Sequence, residues 1–176
     1  NITNNILAIR RLTKQKNFSF LIRCFKIIEN KYPNRYKLNI LGEGEERNNL
    51  EKLISELDLK NKVNLIGYKP NIKTYFSDSF CFILSSLWED PGFVLIESAI
   101  NRTFILSSDC PNGPKEFLDN NKGGILFKSN DKEDFIKNFE LMLSLDDLNK
   151  NKIISYSVEK ARAYSFENHY KKIFPI

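Results

Sequence analysis

The sequence predicts an α/β protein built on a doubly wound parallel sheet of about six strands. Three observations carry that prediction. Short apolar runs alternate with helical periodicity six times between residues 5 and 127, which implies parallel pairing through crossover helices. The central run, Phe-Cys-Phe-Ile-Leu at 80–84, has no polar alternation, as expected of a strand buried on both faces. Beyond Asp131 only helical patterning remains, so the sheet is followed by a helical tail.

In order, the first strand reads Asn-Ile-Leu-Ala-Ile over 5–9. Phe18, Leu21, Ile22, Phe25 and Ile28 then fall on one face of an amphipathic helix over 18–30. A second strand over 36–41 stops at Gly42-Glu43-Gly44, and Leu50, Leu53, Ile54 and Leu57 mark the next helix. A short strand at 63–66 ends in Gly67, and a short helix follows at 72–76. After the central strand, Asp90 suits an N-cap and Pro91 a first helical position, opening a helix over 93–100. That helix is apolar nearly all round and is expected to be buried. A strand at 104–106, a short helix at 114–118 and a last strand at 124–127 complete the sheet. The tail helices are expected at 131–144, 148–163 and 166–173. No linker rich in Gly, Ser or Pro divides the chain, so 1–176 reads as one domain, with a core over 5–145 and a tail over 146–176.

Bulk properties narrow the class. The 176 residues suffice for one domain with a substantial core, and 41% hydrophobic with 28% charged residues is a globular composition. No apolar run approaches the roughly 18 residues of a membrane span. A net charge of +5 suits a phosphate-bearing ligand or an anionic membrane surface, and equally neither. The lysines are scattered without the aromatic interleaving of a nucleic-acid platform, so no nucleic-acid partner is expected. Cys24, Cys81 and Cys110 are odd in number and far apart, which argues for a reducing compartment and against a disulfide framework or zinc site. His169 is the single histidine and is expected at the surface, so no histidine-rich metal site is available.

Two places attract chemistry. Glu97 sits in the second turn of the apolar helix and Glu89 at the end of the preceding loop: each is either a buried carboxylate that needs a partner, or, for Glu97, a half-exposed group paired with a nearby lysine and, for Glu89, an ordinary loop carboxylate. Both flank a helix N-terminus whose free N–H groups favour an anion. Between the first strand and helix, Arg10, Arg11, Lys14 and Lys16 crowd a strand's carboxyl end, where they are placed either to meet a phosphate or simply to face water.

These residues carry a resemblance. Glu89, seven intervening residues and Glu97, with Gly92 three after the first Glu, resembles the Glu-x7-Glu signature of retaining GT-B glycosyltransferases, specifically glycosyltransferase family 4. Arg11-Leu12 followed by Lys16, Asn17 and Phe18 matches a second motif of that family. Gly42-Glu43-Gly44 resembles its Gly-x-Gly turn, since Arg47 replaces the third glycine of a dinucleotide fingerprint. Gly67-Tyr68-Lys69 and the stretch 109–116 resemble two further cleft segments. The resemblance implies a Rossmann-like fold, the donor half of a GT-B enzyme, with the acceptor half in an N-terminal domain outside this chain. It implies that Glu89 approaches the donor sugar, that Glu97 binds the ribose, and that Arg11 and Lys16 meet the diphosphate. Gly92, Phe93 and Val94 would face the diphosphate through their backbone, Gly42 would allow close approach to the ligand, and Tyr68 would either stack on the base or cover the core. Arg10 and Lys14 do not match the motif and are expected to face solvent. Glu116 is expected to line the cleft behind the reacting groups. The implied partners are a nucleotide-sugar donor and a glycan or lipid-linked acceptor, with no metal or cofactor. The expected location is the cytoplasm, with peripheral contact at the inner membrane face left open. Competing readings are a non-catalytic nucleotide-sugar module, a GT-B-like epimerase or phosphorylase, and a dinucleotide-binding domain.

Overall fold

In the computed structural model, which describes residues 3–89 and 92–164, strands β1 (Asn5–Ile9) and β4 (Cys81–Leu84) lie side by side at the centre of a six-stranded sheet. On one flank come β2 (Lys37–Leu41) and β3 (Val63–Gly67), on the other β5 (Phe104–Ser108) and β6 (Ile125–Phe127). The order is β3-β2-β1-β4-β5-β6 and every pairing is parallel, with Ile6 opposite Cys81 and Leu7 opposite Phe82 across the centre. This is the doubly wound sheet that the alternation predicts, and the order reverses between β1 and β4. Ligands in such sheets bind outside the carboxyl ends of the strands at that reversal.

Side-chain alternation splits the core into two layers. Ile6, Ala8, Ile83 and Leu106 pack beneath helices α1 (Phe18–Lys31) and α6 (Lys132–Ser144), with a ring cluster of Phe20, Phe127, Phe135 and Phe139. Leu7, Phe82, Leu84 and Ile105 face α4 (Phe93–Ile100) and its neighbour α7 (Asp147–Ala163). Each fully buried large apolar side chain contributes about 1.5–3 kcal/mol. Helices α2 (Arg47–Glu56), α3 (Lys73–Ser77) and α5 (Pro114–Phe117) complete the connections. Asp131 and Asp146 cap α6 and α7, accepting from the N–H of Asp134 at 3.0 Å and of Asn149 at 2.7 Å. The tail helix α7 packs on α4 and β5. The helix expected at 166–173, His169, and the cap roles of Asp90 and Pro91 lie outside the described residues.

One expectation is corrected here. Helix α4 is not buried all round: Val94, Leu95, Ser98 and Ala99 are inside, whereas Phe93 (63% exposed), Glu97 and Ile100 are exposed. Phe93, Glu97 and Ile100 are spaced i, i+4 and i+7, so the helix has an open stripe that its apolar composition conceals. The three cysteines are free, buried thiols, and burial pushes the Cys24 thiol up to about 12. Among the described residues no helix is long and apolar enough to cross a membrane.

Candidate functional site

At the carboxyl edge of the sheet the loops lace together through their backbones. Arg10 donates its N–H to Leu41 O at 3.0 Å, Leu12 to Glu43 O at 2.9 Å, and Gly42 to Gly67 O at 2.9 Å. A Cβ on Gly42, whose φ is +140°, would stand 1.9 Å from Arg10 O. The glycine turn therefore lets the second strand's loop lie on the basic loop itself, and the close approach expected toward a ligand is first an approach to the chain's own backbone. The basic loop winds into a 3-10 turn (Lys14–Lys16) that is tied to the loop after β4. Leu87 N–H meets Gln15 O at 2.8 Å, Gln15 Nε2 meets Trp88 O at 2.8 Å, and Ser85 Oγ donates to Lys16 O at 2.8 Å.

These ties place Glu89 in the interior, 1% exposed, with both oxygens engaged. Oε1 accepts from Lys16 Nζ at 3.0 Å and from Ser86 Oγ at 2.5 Å, and Oε2 accepts from Arg10 Nη2 at 2.9 Å. Two cations against one buried carboxylate leave the cluster positive. Arg10 thus overturns the expectation of a solvent-facing side chain: it is the second cation on Glu89. Two adjacent arginines at a strand end diverge as the chain turns: Arg10, whose backbone is tied to Leu41 O and packed under Gly42, points inward to Glu89, and Arg11 points outward. Ser86 completes the cluster, and a lone serine at a strand end carries no signal by residue type. Lys14 is exposed as expected.

Beside this cluster lies a cleft of about 610 Å³, lined by Ile9, Arg10, Arg11, Gly42, Tyr68, Val94 and Glu97 among others. Arg11 borders it but turns outward, 75% exposed, with Nη2 3.8 Å from Glu45 Oε2. Tyr68 is 75% exposed, which removes the alternative that it covers the core. The Glu97 carboxylate has no hydrogen-bond or ion-pair partner among the described residues. Partial desolvation raises its pKa above the ordinary value, against the opposing pull of Arg10. Gly92 begins α4 without a side-chain cap, and a Cβ there would lie 3.8 Å from both Arg10 Nη2 and Glu89 Cγ. The start of α4 therefore abuts the ion cluster, with Phe93 outside and Val94 in the cleft wall. The stretch after β5 joins from the far side: Glu89 donates its N–H to Pro111 O at 3.1 Å. Glu116 borders a separate depression, with Asp109, Asn112 and Lys160, rather than this cleft. The structure thus brings Arg11, Gly42, Tyr68, Val94 and Glu97 to one cleft, and Lys16, Glu89 and Gly92 to its buried edge.

Such an arrangement suits a ligand with an anionic centre and hydroxyls: cations and a helix N-terminus for the first, an unpartnered carboxylate for the second, an exposed ring for a flat group. The comparisons agree in family and fold. An uncharacterized glycosyltransferase of Methanocaldococcus jannaschii is 46% identical over 112 residues, 64% of this chain and 27% of that protein. The N-acetylgalactosamine-N,N'-diacetylbacillosaminyl-diphospho-undecaprenol 4-alpha-N-acetylgalactosaminyltransferase of Campylobacter jejuni is 32% identical over 145 residues, 82% of this chain and 39% of that one. The chain therefore spans well under two thirds of the curated relatives it matches. In fold it is similar to a mutant of S. aureus TarM in complex with fondaparinux, α-GlcNAc-glycerol and UDP, with a TM-score of 0.88 at 24% identity over 97% of this chain and 34% of that one. The sheet is accordingly the Rossmann-like half of a GT-B fold. The family model of the glycosyl transferases group 1 matches residues 3–160, and the chain belongs to that family.

Proposed function

We propose that this chain is the donor-binding half of a retaining glycosyltransferase. In this reading it takes a hexose or N-acetylhexosamine from a nucleoside-diphosphate sugar, for transfer to a glycan or lipid-linked acceptor in surface polysaccharide or lipopolysaccharide synthesis. The observation that carries the reading is the cleft at the β1/β4 reversal, where Arg10, Arg11 and Val94 of α4 line one wall with the Glu97 carboxylate, which has no hydrogen-bond or ion-pair partner among the described residues, and where Arg10 ties that wall to the Glu89–Lys16 pair. The C. jejuni relative is named for a diphospho-undecaprenol acceptor, and the TarM complex is described with UDP, which supports the donor and acceptor classes.

As the bond from the anomeric carbon to the diphosphate breaks, negative charge gathers on the leaving phosphate. Arg11, Lys16 and the N-terminus of α4 stabilise that charge by preplaced positive potential, without a metal. Glu97 holds the ribose hydroxyls, Tyr68 stacks on the base, and Glu89 orients the sugar hydroxyls. The cleft is one open wall. Trp88 and Phe93, exposed beside it, are apolar surface that a separate acceptor domain would cover on closing. Unclosed, the wall leaves the phosphates in water, so the 176-residue chain should bind donors with Kd on the order of 0.1–1 mM. It should not transfer sugar. NMR titration with UDP, GDP and their sugars tests this. Silence from all of them overturns the donor role, and transfer at ordinary enzymatic rates by this chain alone overturns the two-domain reading.

A further inference from the structure

As it stands Glu89 has nothing left to offer a ligand. Three donors occupy its two oxygens and it is 1% exposed, so one partner must move before it can meet a sugar hydroxyl. Lys16 is the pinned partner. Both backbones are held, Lys16 by Thr13 O at 3.1 Å and Arg10 by Leu41 O at 3.0 Å, but the Lys16 side chain is only 12% exposed and does not line the cleft. Arg10 is the loose one. It holds Oε2 through Nη2 alone, its side chain is 22% exposed, and it lines the cleft together with Glu97. Its Nε is buried with no partner among the described residues. An unsatisfied buried donor costs about 1–3 kcal/mol, so an acceptor brought by a ligand improves the position of Arg10.

We propose that Arg10 is a diphosphate-triggered latch on Glu89: it holds the carboxylate while the cleft is empty, and an incoming diphosphate draws it off and frees Oε2 for the sugar. The proposal rests on the donor reading and adds a residue that lies outside the Arg-Leu pattern. The geometry fits the exchange. Nε–H and an Nη–H form the fork that phosphate oxygens accept in pairs, and a lysine cannot reproduce it. The guanidinium already stands at the start of α4, 3.8 Å from where a Gly92 Cβ would be, and the free N–H groups there favour the same anion. The charge balance fits as well. When Arg10 leaves, Glu89 keeps Lys16 and Ser86 and is not stranded. Diphosphate binding thereby precedes engagement of the sugar by Glu89.

The test follows the Arg10 Nε–H resonance in the 176-residue chain, assigned by its absence from Arg10→Lys. It should shift on saturation with UDP or GDP and stay in place with the bare nucleoside. Arg10→Gln should weaken diphosphate binding about tenfold, about 1.4 kcal/mol, and leave nucleoside binding unchanged, with Arg10→Lys recovering only part. Glu89→Gln releases the latch in advance, so it should tighten diphosphate binding, and that gain should be lost in the Arg10→Gln background. A resonance that stays put at saturation, or an Arg10→Gln chain that binds the diphosphate like the parent, overturns the latch and leaves the donor reading standing. A parent chain that binds no nucleoside diphosphate overturns both. If Arg10→Gln fails to fold, the resonance in the parent chain decides.

Discussion

Replacing Glu89 by Gln tests whether the buried ion cluster organises the site. Gln keeps the volume and an acceptor for Ser86, but Arg10 and Lys16 then face one another without an opposite charge. Removing one member of a buried pair typically destabilises by about 3–5 kcal/mol. Here the partners are 22% and 12% exposed and Arg10 can turn into the cleft, so solvent screening lowers the expectation to about 2–3 kcal/mol. For a chain of this size about 1 kcal/mol corresponds to roughly 2–4 °C in Tm, so thermal denaturation should show a fall of roughly 4–12 °C. The double variant Glu89→Gln/Lys16→Met removes one of the two uncompensated cations and should recover part of the loss. A change in Tm below about 2 °C, or a double variant that loses the sum of the two single effects, would refute the reasoning.

Three other outcomes are expected. Glu97→Gln should weaken nucleotide binding by about 1.5–3 kcal/mol in a calorimetric or NMR titration. Its effect on stability should have the opposite sign. The folded chain raises the Glu97 pKa, so ionising the carboxyl is harder in the fold, and that penalty grows as pH rises from the ordinary carboxylate value through the folded one. Glu97→Gln should therefore leave Tm at neutral pH equal or higher, with any gain gone in acid; a lower Tm with unchanged affinity would remove Glu97 from the site. Arg11→Ala should lower affinity for a nucleoside diphosphate more than for the nucleoside, less so at high salt, with little effect on Tm because its ion pair is exposed. Equal losses for both ligands would place Arg11 away from the phosphates. Gly42→Ala should destabilise by about 2–5 kcal/mol in denaturant titration, since its Cβ would meet Arg10 O at 1.9 Å with φ at +140°; an unchanged midpoint would refute the packing of that turn.

The sheet was legible because burial on two faces leaves a pattern in one dimension. The unbroken apolar run into β4, the 3.6 spacing of α1 and the glycine after β2 each report a local environment, and the structure returns them within a residue or two at most boundaries. Helix α4 shows where this stops. Phe93 and Ile100 are as apolar as Val94 and Leu95, so composition could not separate the exposed stripe from the stripe in the core.

By itself the sequence determined the strand and helix order and the parallel winding, whereas the Glu89–Glu97 spacing pointed to a site only through its resemblance to a family motif. The order and the winding follow from residue type and period, which are properties of neighbours along the chain. Only the tertiary structure decided that Arg10 and not Arg11 turns inward, that Glu89 is saturated by Arg10, Lys16 and Ser86 while Glu97 has no hydrogen-bond or ion-pair partner among the described residues, and that Tyr68 stands clear of the core. Those outcomes depend on loops seventy or more residues apart meeting at the sheet edge. A side chain at a strand end has no period to reveal its direction; the backbone contacts among those loops set it.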